Sequence, residues 1–451
     1  MKKIIALILC LVLALGSLAG CAKEETPATQ PTAEVPQATK PVIPSVRLLV
    51  FQPELTDGWE SLAGAYTANT GVPVSVVACD SKNWEQTLAS HLEDEDAPTI
   101  YQIFSPTGTE HWQGLCHDLT RTDAAKALVS KSYALSDGDA LLALPDSVDA
   151  WGIWVNRTLL EQTPFTLEDI ASQTDLKTIA EAVTTDSQEL GFAAFAPLED
   201  EDLLPLAAAA IAREFQLDSL KSPHKFRGTQ VDGLTSLLAL IGQNSAGSQA
   251  FAEGKTLFCL GSSADWAELS STFKPEELAL IPVYLDETEV PLPVEDTDEA
   301  AAPQPTEATV PEEETQDEDA PDPQGLLIGA QRFWCINPQA PAQDLEVTLD
   351  FLNWLLGSEA GAAALAELNG DLPYTTAPEI TNPFLPEWGE KDNLYRRDWA
   401  MPSYQWQTAL FRALKTCMED PTDENRTAAA EVFSGYWAAE YALSGAANSN
   451  G

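Results

Sequence analysis

Leu141-Leu-Ala-Leu-Pro-Asp-Ser-Val-Asp-Ala-Trp-Gly-Ile-Trp-Val-Asn-Arg-Thr-Leu-Leu160 decides how the chain is expected to fold. It looks like two strand pieces, the first closing one lobe and the second opening another. Upstream, Ser45–Phe51 is apolar and β-rich and reads as a first strand. Glu54–Asn69 places Trp59, Leu62, Ala63 and Tyr66 at helical spacing, and Gly71 ends that helix. Val72–Ala78 reads as a second strand, Trp84–Leu92 as a second helix and Thr99–Phe104 as a third strand. Short connections between alternating strands and helices imply a parallel sheet covered by helices, the order of a doubly wound α/β domain.

Downstream, Leu203–Phe215 is an Ala-rich helix, and Gly191–Phe195 and Ala279–Tyr284 read as strands. Phe251–Leu260 reads as a helix end, a turn and a strand. Leu345–Leu356, Ala360–Leu368, Gln405–Met418 and Glu424–Tyr441 carry helical patterns. Residues 46–442 are too many for a single growing core, so two domains are expected.

The N-terminus has its own logic. Lys2 and Lys3 precede an uncharged apolar run, Ile4–Leu15, which is shorter than the ~20 residues a spanning helix needs. Small residues follow, ending Leu18-Ala19-Gly20-Cys21. This is a secretory signal, and its ending resembles the lipobox of bacterial lipoproteins, which implies lipidation of Cys21 as the first mature residue. Residues 22–45 are rich in Pro, Thr, Ala, Gln and Glu. They bury too little apolar surface to fold and read as an extended tether.

Seventy acidic residues face 24 basic ones, a net charge of −46. Such a chain is repelled by nucleic-acid phosphates, so nucleic acid is not an expected partner. Much of the excess lies in 286–324, where acidic residues alternate with Pro, Thr and Ala. That stretch reads as a solvated, disordered insertion without the spacing of a calcium loop. Of 7 cysteines, Cys10 leaves with the signal. Cys79, Cys116, Cys259, Cys335 and Cys417 form no metal-binding pattern, and several sit in apolar contexts as small hydrophobes. One disulfide is compatible with them, the sequence naming no pair. No metal or other cofactor is expected. The 4 His residues form no HExxH and Gly261-Ser-Ser-Ala264 is no nucleophile elbow, so an enzyme is not expected.

Several segments resemble, in order, the extracellular solute-binding proteins of carbohydrate ABC transporters, the maltose-binding-protein-like group. Ala143-Leu-Pro145 followed by Gly152-Ile-Trp-Val-Asn156-Arg157 is similar to that family's lobe-crossing segment. Ala250-Phe-Ala-Glu-Gly-Lys255 with Leu260-Gly-Ser-Ser263 and Trp266 is similar to another family stretch. So are Phe333-Trp-Cys-Ile-Asn337 with Asp350–Glu359, and Leu372-Pro373. The resemblance implies a type II periplasmic-binding-protein-like fold: two α/β lobes, each a doubly wound sheet flanked by helices, joined by hinge crossings, with ligand between them. The expected layout is signal 1–20, tether 21–45, first lobe 46–150, second lobe 151–285, insertion 286–324, first-lobe return 325–372, second-lobe helices 373–442 and tail 443–451. It also implies capture of a small molecule, first of all a sugar, for an ABC transporter permease, by a monomer lipid-anchored on the extracytoplasmic face of the cell membrane.

A sugar cleft needs aromatic faces and hydrogen-bonding carboxylates and amides. Candidates are Glu54, Phe104 and Trp112 on the first lobe, and Glu199, Asp200, Trp266, Trp399, Tyr404 and Trp406 on the second. Trp59, at helical spacing, reads first as core. Peptide, polyamine and cation clefts share this scaffold. An adhesion or signalling lipoprotein and a surface glycoside hydrolase are the competing readings.

Overall fold

The computed structural model describes residues 43–81, 84–104, 114–137, 139–198, 200–219, 228–245, 251–285, 326–330, 332–385, 394–396 and 404–441. The signal segment, Cys21, nearly all of the tether, the acidic insertion and the tail 443–451 lie outside them.

The strands are β1 (Val46–Val50), β2 (Val74–Ala78), β3 (Ile100–Phe104), β4 (Leu135–Asp137), β5 (Ala140–Pro145), β6 (Asp149–Asn156), β7 (Ala193–Phe195), β8 (Thr256–Ser262), β9 (Leu278–Ile281), β10 (Leu326–Gly329), β11 (Arg332–Ile336) and β12 (Leu394–Arg396). They form two sheets. The first runs β2-β1-β3-β11-β5-β4. The second runs β12-β10-β6-β8-β7, with β9 also paired to β6.

Helix α1 (Thr56–Thr70) buries Trp59, Leu62, Ala63 and Tyr66 and ends at Gly71, whose φ of 77° lets its amide return to Thr67 O. Trp59 is fully buried, edge-on to Trp334 of β11 at 5.5 Å. It is core, as its spacing suggested. Helix α2 (Trp84–Leu92) follows β2. In the second lobe α3 (Gln173–Thr185), α4 (Leu203–Ser219) and α5 (Thr229–Asn244) cover the sheet. The first lobe is completed by α6 (Ala342–Gly357) and α7 (Glu359–Asn369), and α8 (Tyr404–Glu419) and α9 (Asp423–Tyr436) pack on α5.

Each lobe is an α/β sheet flanked by helices, as expected, and each sheet carries antiparallel members. In the first, β2-β1-β3 pair in parallel, β11 runs antiparallel between β3 and β5, and β5 shares the direction of β1–β3. The reason is the path of the chain. Arg332 pairs with Phe104 and Ile336 with Ile100, so β11 enters beside the carboxyl end of β3 and must run back along it. Leu327 pairs with Trp151 and Ile328 with Ala150, which puts β10 in the second sheet.

Each lobe has its own core. Val46, Leu48, Trp59, Tyr101, Trp334 and Phe351 belong to one, and Ile153, Leu176, Phe195, Leu237, Phe258 and Phe433 to the other. The strands between the lobes serve both. Ala150, Leu326 and Ile328 pack into the first core, while their neighbours Trp151 and Leu327 pack into the second. Alternating side chains of a strand point to opposite faces.

Candidate functional site

Three chain passages meet where the lobes join. One is the β5–β6 connection, and one runs from β10 to β11. The third leaves α7 at Asn369 and continues to Leu385. Backbone bonds tie them together: Asp146 N donates to Arg332 O (3.0 Å) and Val148 N to Asp371 O (3.0 Å). Tyr374 Oη donates to Pro145 O at 2.6 Å.

Polar side chains are buried behind this junction, and each has a partner, as burial demands. Asp146 is 0% exposed. Its Oδ2 accepts from Arg332 Nε (2.9 Å), Gln102 Nε2 (2.9 Å) and Asn369 Nδ2 (3.3 Å). Gln102 Nε2 also donates to Gln52 Oε1 (2.9 Å), and Gln52 Nε2 to Asn369 Oδ1 (3.0 Å). The network therefore links the loop after β1, the middle of β3, the first crossing, the start of β11 and the end of α7.

A cavity of about 690 Å³ opens at this junction. Ser147, Val148 and Asp149 line it from the first crossing, Gly329 and Arg332 from the second, and Asn369–Leu372 from the third. Ser263, Ala264, Trp266 and Ala267 supply the second-lobe wall, and Ala377–Glu379, Thr381 and Asn382 contribute the rim. Asp149 Oδ1 accepts from Ser263 Oγ, and from Ala264 N at 3.1 Å, which fixes the turn that presents Trp266. The indole of Trp266 leans edge-on against Phe384 at 5.2 Å. Asn382 Nδ2 donates to Ser263 O (2.7 Å), so the third passage also holds this wall.

Burial raises the carboxyls of Asp146, Asp149 and Asp371 above the usual carboxylate range. Arg332 opposes this most for Asp146, Ser263 for Asp149 and Asn382 for Asp371. An acid whose folded value exceeds its unfolded one (~3.9 for Asp) contributes stability that is complete below the unfolded value. That contribution is lost as pH rises through the folded value. These three carboxyls are therefore expected to contribute most stability below about pH 4 and less toward pH 7.5. Calorimetry across that range would refute the assignment by showing a flat or rising melting temperature toward pH 7.5.

Of the candidate ligand residues, Trp266 borders the cavity. Glu54 is exposed on the short turn Pro53–Leu55 and is not among the residues that line the cavity. Phe104 packs with Phe51 (6.1 Å) and Trp84 (5.4 Å). Asp200 is paired with Lys415 at 2.6 Å on the surface. Trp406 packs on the second core, 5.9 Å from Tyr436. Tyr404 opens α8, its side chain outside the described set, and Trp112, Glu199 and Trp399 also lie outside the described residues. The sequence reading missed the buried network altogether. Its signals were a Gln inside the apolar run Ile100–Phe104 and an Asp directly after the apolar strand ending at Pro145.

Among the described residues no histidine, cysteine or lysine borders the cavity, and no cluster of metal-ligating side chains occurs. No described helix is long and apolar enough to cross a membrane.

The model of the bacterial extracellular solute-binding protein family matches residues 61–388. The chain belongs to this family. Its matched region holds every crossing and the whole cavity wall. Solved structures share the fold of this solute-binding protein across most of their length. A family 1 extracellular solute-binding protein from Bifidobacterium longum subsp. infantis is 15% identical, covers 87% of this chain and 98% of its own, and has a TM-score of 0.58. The GacH receptor of Streptomyces glaucescens, solved unliganded and with acarbose, is 13% identical, with 88% and 98% covered and a TM-score of 0.57. A sugar transporter from Bacillus licheniformis in complex with stachyose is 13% identical, with 87% and 100% covered and a TM-score of 0.56. No curated protein matches this chain.

Proposed function

We propose that this solute-binding protein captures a small carbohydrate at the lobe junction and delivers it to an ABC transporter permease. The observation that carries this reading is the cavity of about 690 Å³, bordered by all three crossings and flanked by Trp266. Its volume falls in the range of small-ligand sites, roughly 300–1,000 Å³. An indole face suits the C–H surface of a sugar ring. Because both lobes wall the cavity, ligand binds the closed arrangement better than the open one, and only that difference drives closure. Stachyose and acarbose bound to proteins of the same fold support the carbohydrate class.

The protein acts without chemistry of its own. It works as a monomer held by lipid on Cys21, with the tether setting its distance from the membrane. Mass spectrometry of the mature protein is expected to find a diacylglyceryl-modified Cys21, and Cys21→Ala is expected to release it into the medium. Isothermal titration against mono- to tetrasaccharides tests the ligand class. Silence across the sugars alongside a response to a peptide or polyamine would overturn it.

Trp266→Ala is expected to weaken the bound saccharide about 3- to 10-fold, the loss of one aromatic face being worth roughly 0.5–1.5 kcal/mol beyond burial. The melting temperature without ligand should stay close to wild type, because the indole is only partly buried. Equal affinity in the variant would remove Trp266 from the site.

A further inference from the structure

The cavity wall is electrically one-sided. Its charged residues are Asp149, Asp371, Glu379 and Arg332. Arg332 gives its Nε to Asp146, which is fully buried behind the wall, so that cation already has a carboxylate partner of its own. Asp149 holds the Ser263–Ala264 turn and answers the amide end of that turn. Asp371 accepts a hydrogen bond from the neutral side chain of Asn382, and Glu379 is exposed at the rim. Among the described residues, no cation opposes these last two in the wall.

The backbone adds to the same sign. Helix α7 ends against the cavity, with Ala366, Leu368, Asn369 and Gly370 in its wall. The carbonyl end of a helix carries about half a negative charge. A recess with low-dielectric walls focuses such a field on its contents. Trp266 stands in the same wall, and an indole face attracts an organic cation.

We propose that the ligand is an amine-bearing carbohydrate, its protonated amino group recognised by Asp371 and Glu379 beside the carbonyl end of α7, with Trp266 against the sugar ring. This rests on the carbohydrate reading above and narrows it. A neutral sugar would leave Asp371 and Glu379 facing a ligand without a countercharge. A linear polyamine would meet the charge but leave the ring platform unused.

The test is titration calorimetry in low salt with a trimer of β-1,4-linked glucosamine, its fully N-acetylated counterpart, maltotriose and spermidine. The glucosamine trimer is expected to bind at least 10-fold tighter than the N-acetylated one. That preference should shrink in 0.5 M salt, where surface-accessible charge is screened. Asp371→Asn should bring the two trimers to within about 2-fold. The unliganded melting temperature of that variant is compared with wild type to establish that its fold is intact. Glu379→Gln, at the exposed rim, should narrow the gap less. If either neutral sugar binds as well as the glucosamine trimer, the amine proposal falls and the carbohydrate reading stands. If spermidine binds and no saccharide does, or if none of the four binds, the carbohydrate reading falls and takes this proposal with it.

Discussion

Arg332→Met is expected to lower the unfolding free energy at pH 7.5 by about 3–5 kcal/mol, the usual cost of stranding one member of a buried ion pair. The partners are unequal in a way that fixes the sign of the comparison. Asp146 is wholly buried, while Arg332 keeps 20% of its side chain exposed. Removing the arginine leaves a carboxylate with only neutral donors: Gln102, Asn369 and Ser147. Removing the carboxylate leaves a guanidinium that still reaches water. Asp146→Asn should therefore cost clearly less than Arg332→Met, and the double variant should recover most of the loss. The pH dependence gives a second check. Without Arg332 the folded value of Asp146 rises further, so the deficit should be largest near neutrality and shrink as pH falls toward 5. Urea titrations of the three variants at two pH values measure both effects. A larger penalty for Asp146→Asn would mean that the carboxylate, rather than the pair, organises the junction.

Cleaving the Cys116–Cys335 disulfide is expected to cost about 2–5 kcal/mol. The bridge joins residues 219 positions apart, with Cα atoms 5.4 Å apart, and long closed loops gain most from a crosslink in the chain-entropy account. It is also well placed to matter. Cys335 lies fully buried in β11 beside β3, and Tyr101 Oη donates to Leu115 O next to Cys116. His117 N donates to Ile336 O at 2.8 Å. The double variant Cys116→Ala/Cys335→Ala should melt well below wild type, and a thiol reductant should bring wild type to the same point. Peptide mapping without reduction should yield one crosslinked pair and leave Cys79, Cys259 and Cys417 free. Those thiols should alkylate slowly in the folded protein. Burial raises all three, and that of Cys259 is pushed up to about 12. A crosslink to any of these three would contradict the pairing.

The regular elements were legible because their signals are local. The spacing of Trp59, Leu62, Ala63 and Tyr66 specifies one buried helical stripe, and α1 buries those same residues. The apolar run around Gly152–Asn156 specifies a strand covered on both faces, and β6 is one. Pairing direction was less legible. Local alternation of strand and helix says parallel, and β5 does share the direction of β1–β3, but β11 takes its direction from a passage between lobes that no local window contains. The site was the least legible part. Ligand residues were sought among aromatics at strand ends, and Trp406 has the same sequence appearance as Trp266. One packs on the second core and the other borders the cavity, a difference made by tertiary position alone. The disulfide could not be paired for the same reason: its cysteines meet across a distance in sequence that spacing does not encode.

The strands that carry the chain between the lobes have one further consequence. Ala150 and Trp151 are adjacent in β6, yet each is anchored in a different interior, and Ile328 and Leu327 repeat the arrangement in β10. Neither half can melt without pulling the shared ribbon out of the other. A protein with two interiors is therefore expected to lose both in a single calorimetric step, with van't Hoff and calorimetric enthalpies agreeing, although its size alone would suggest two.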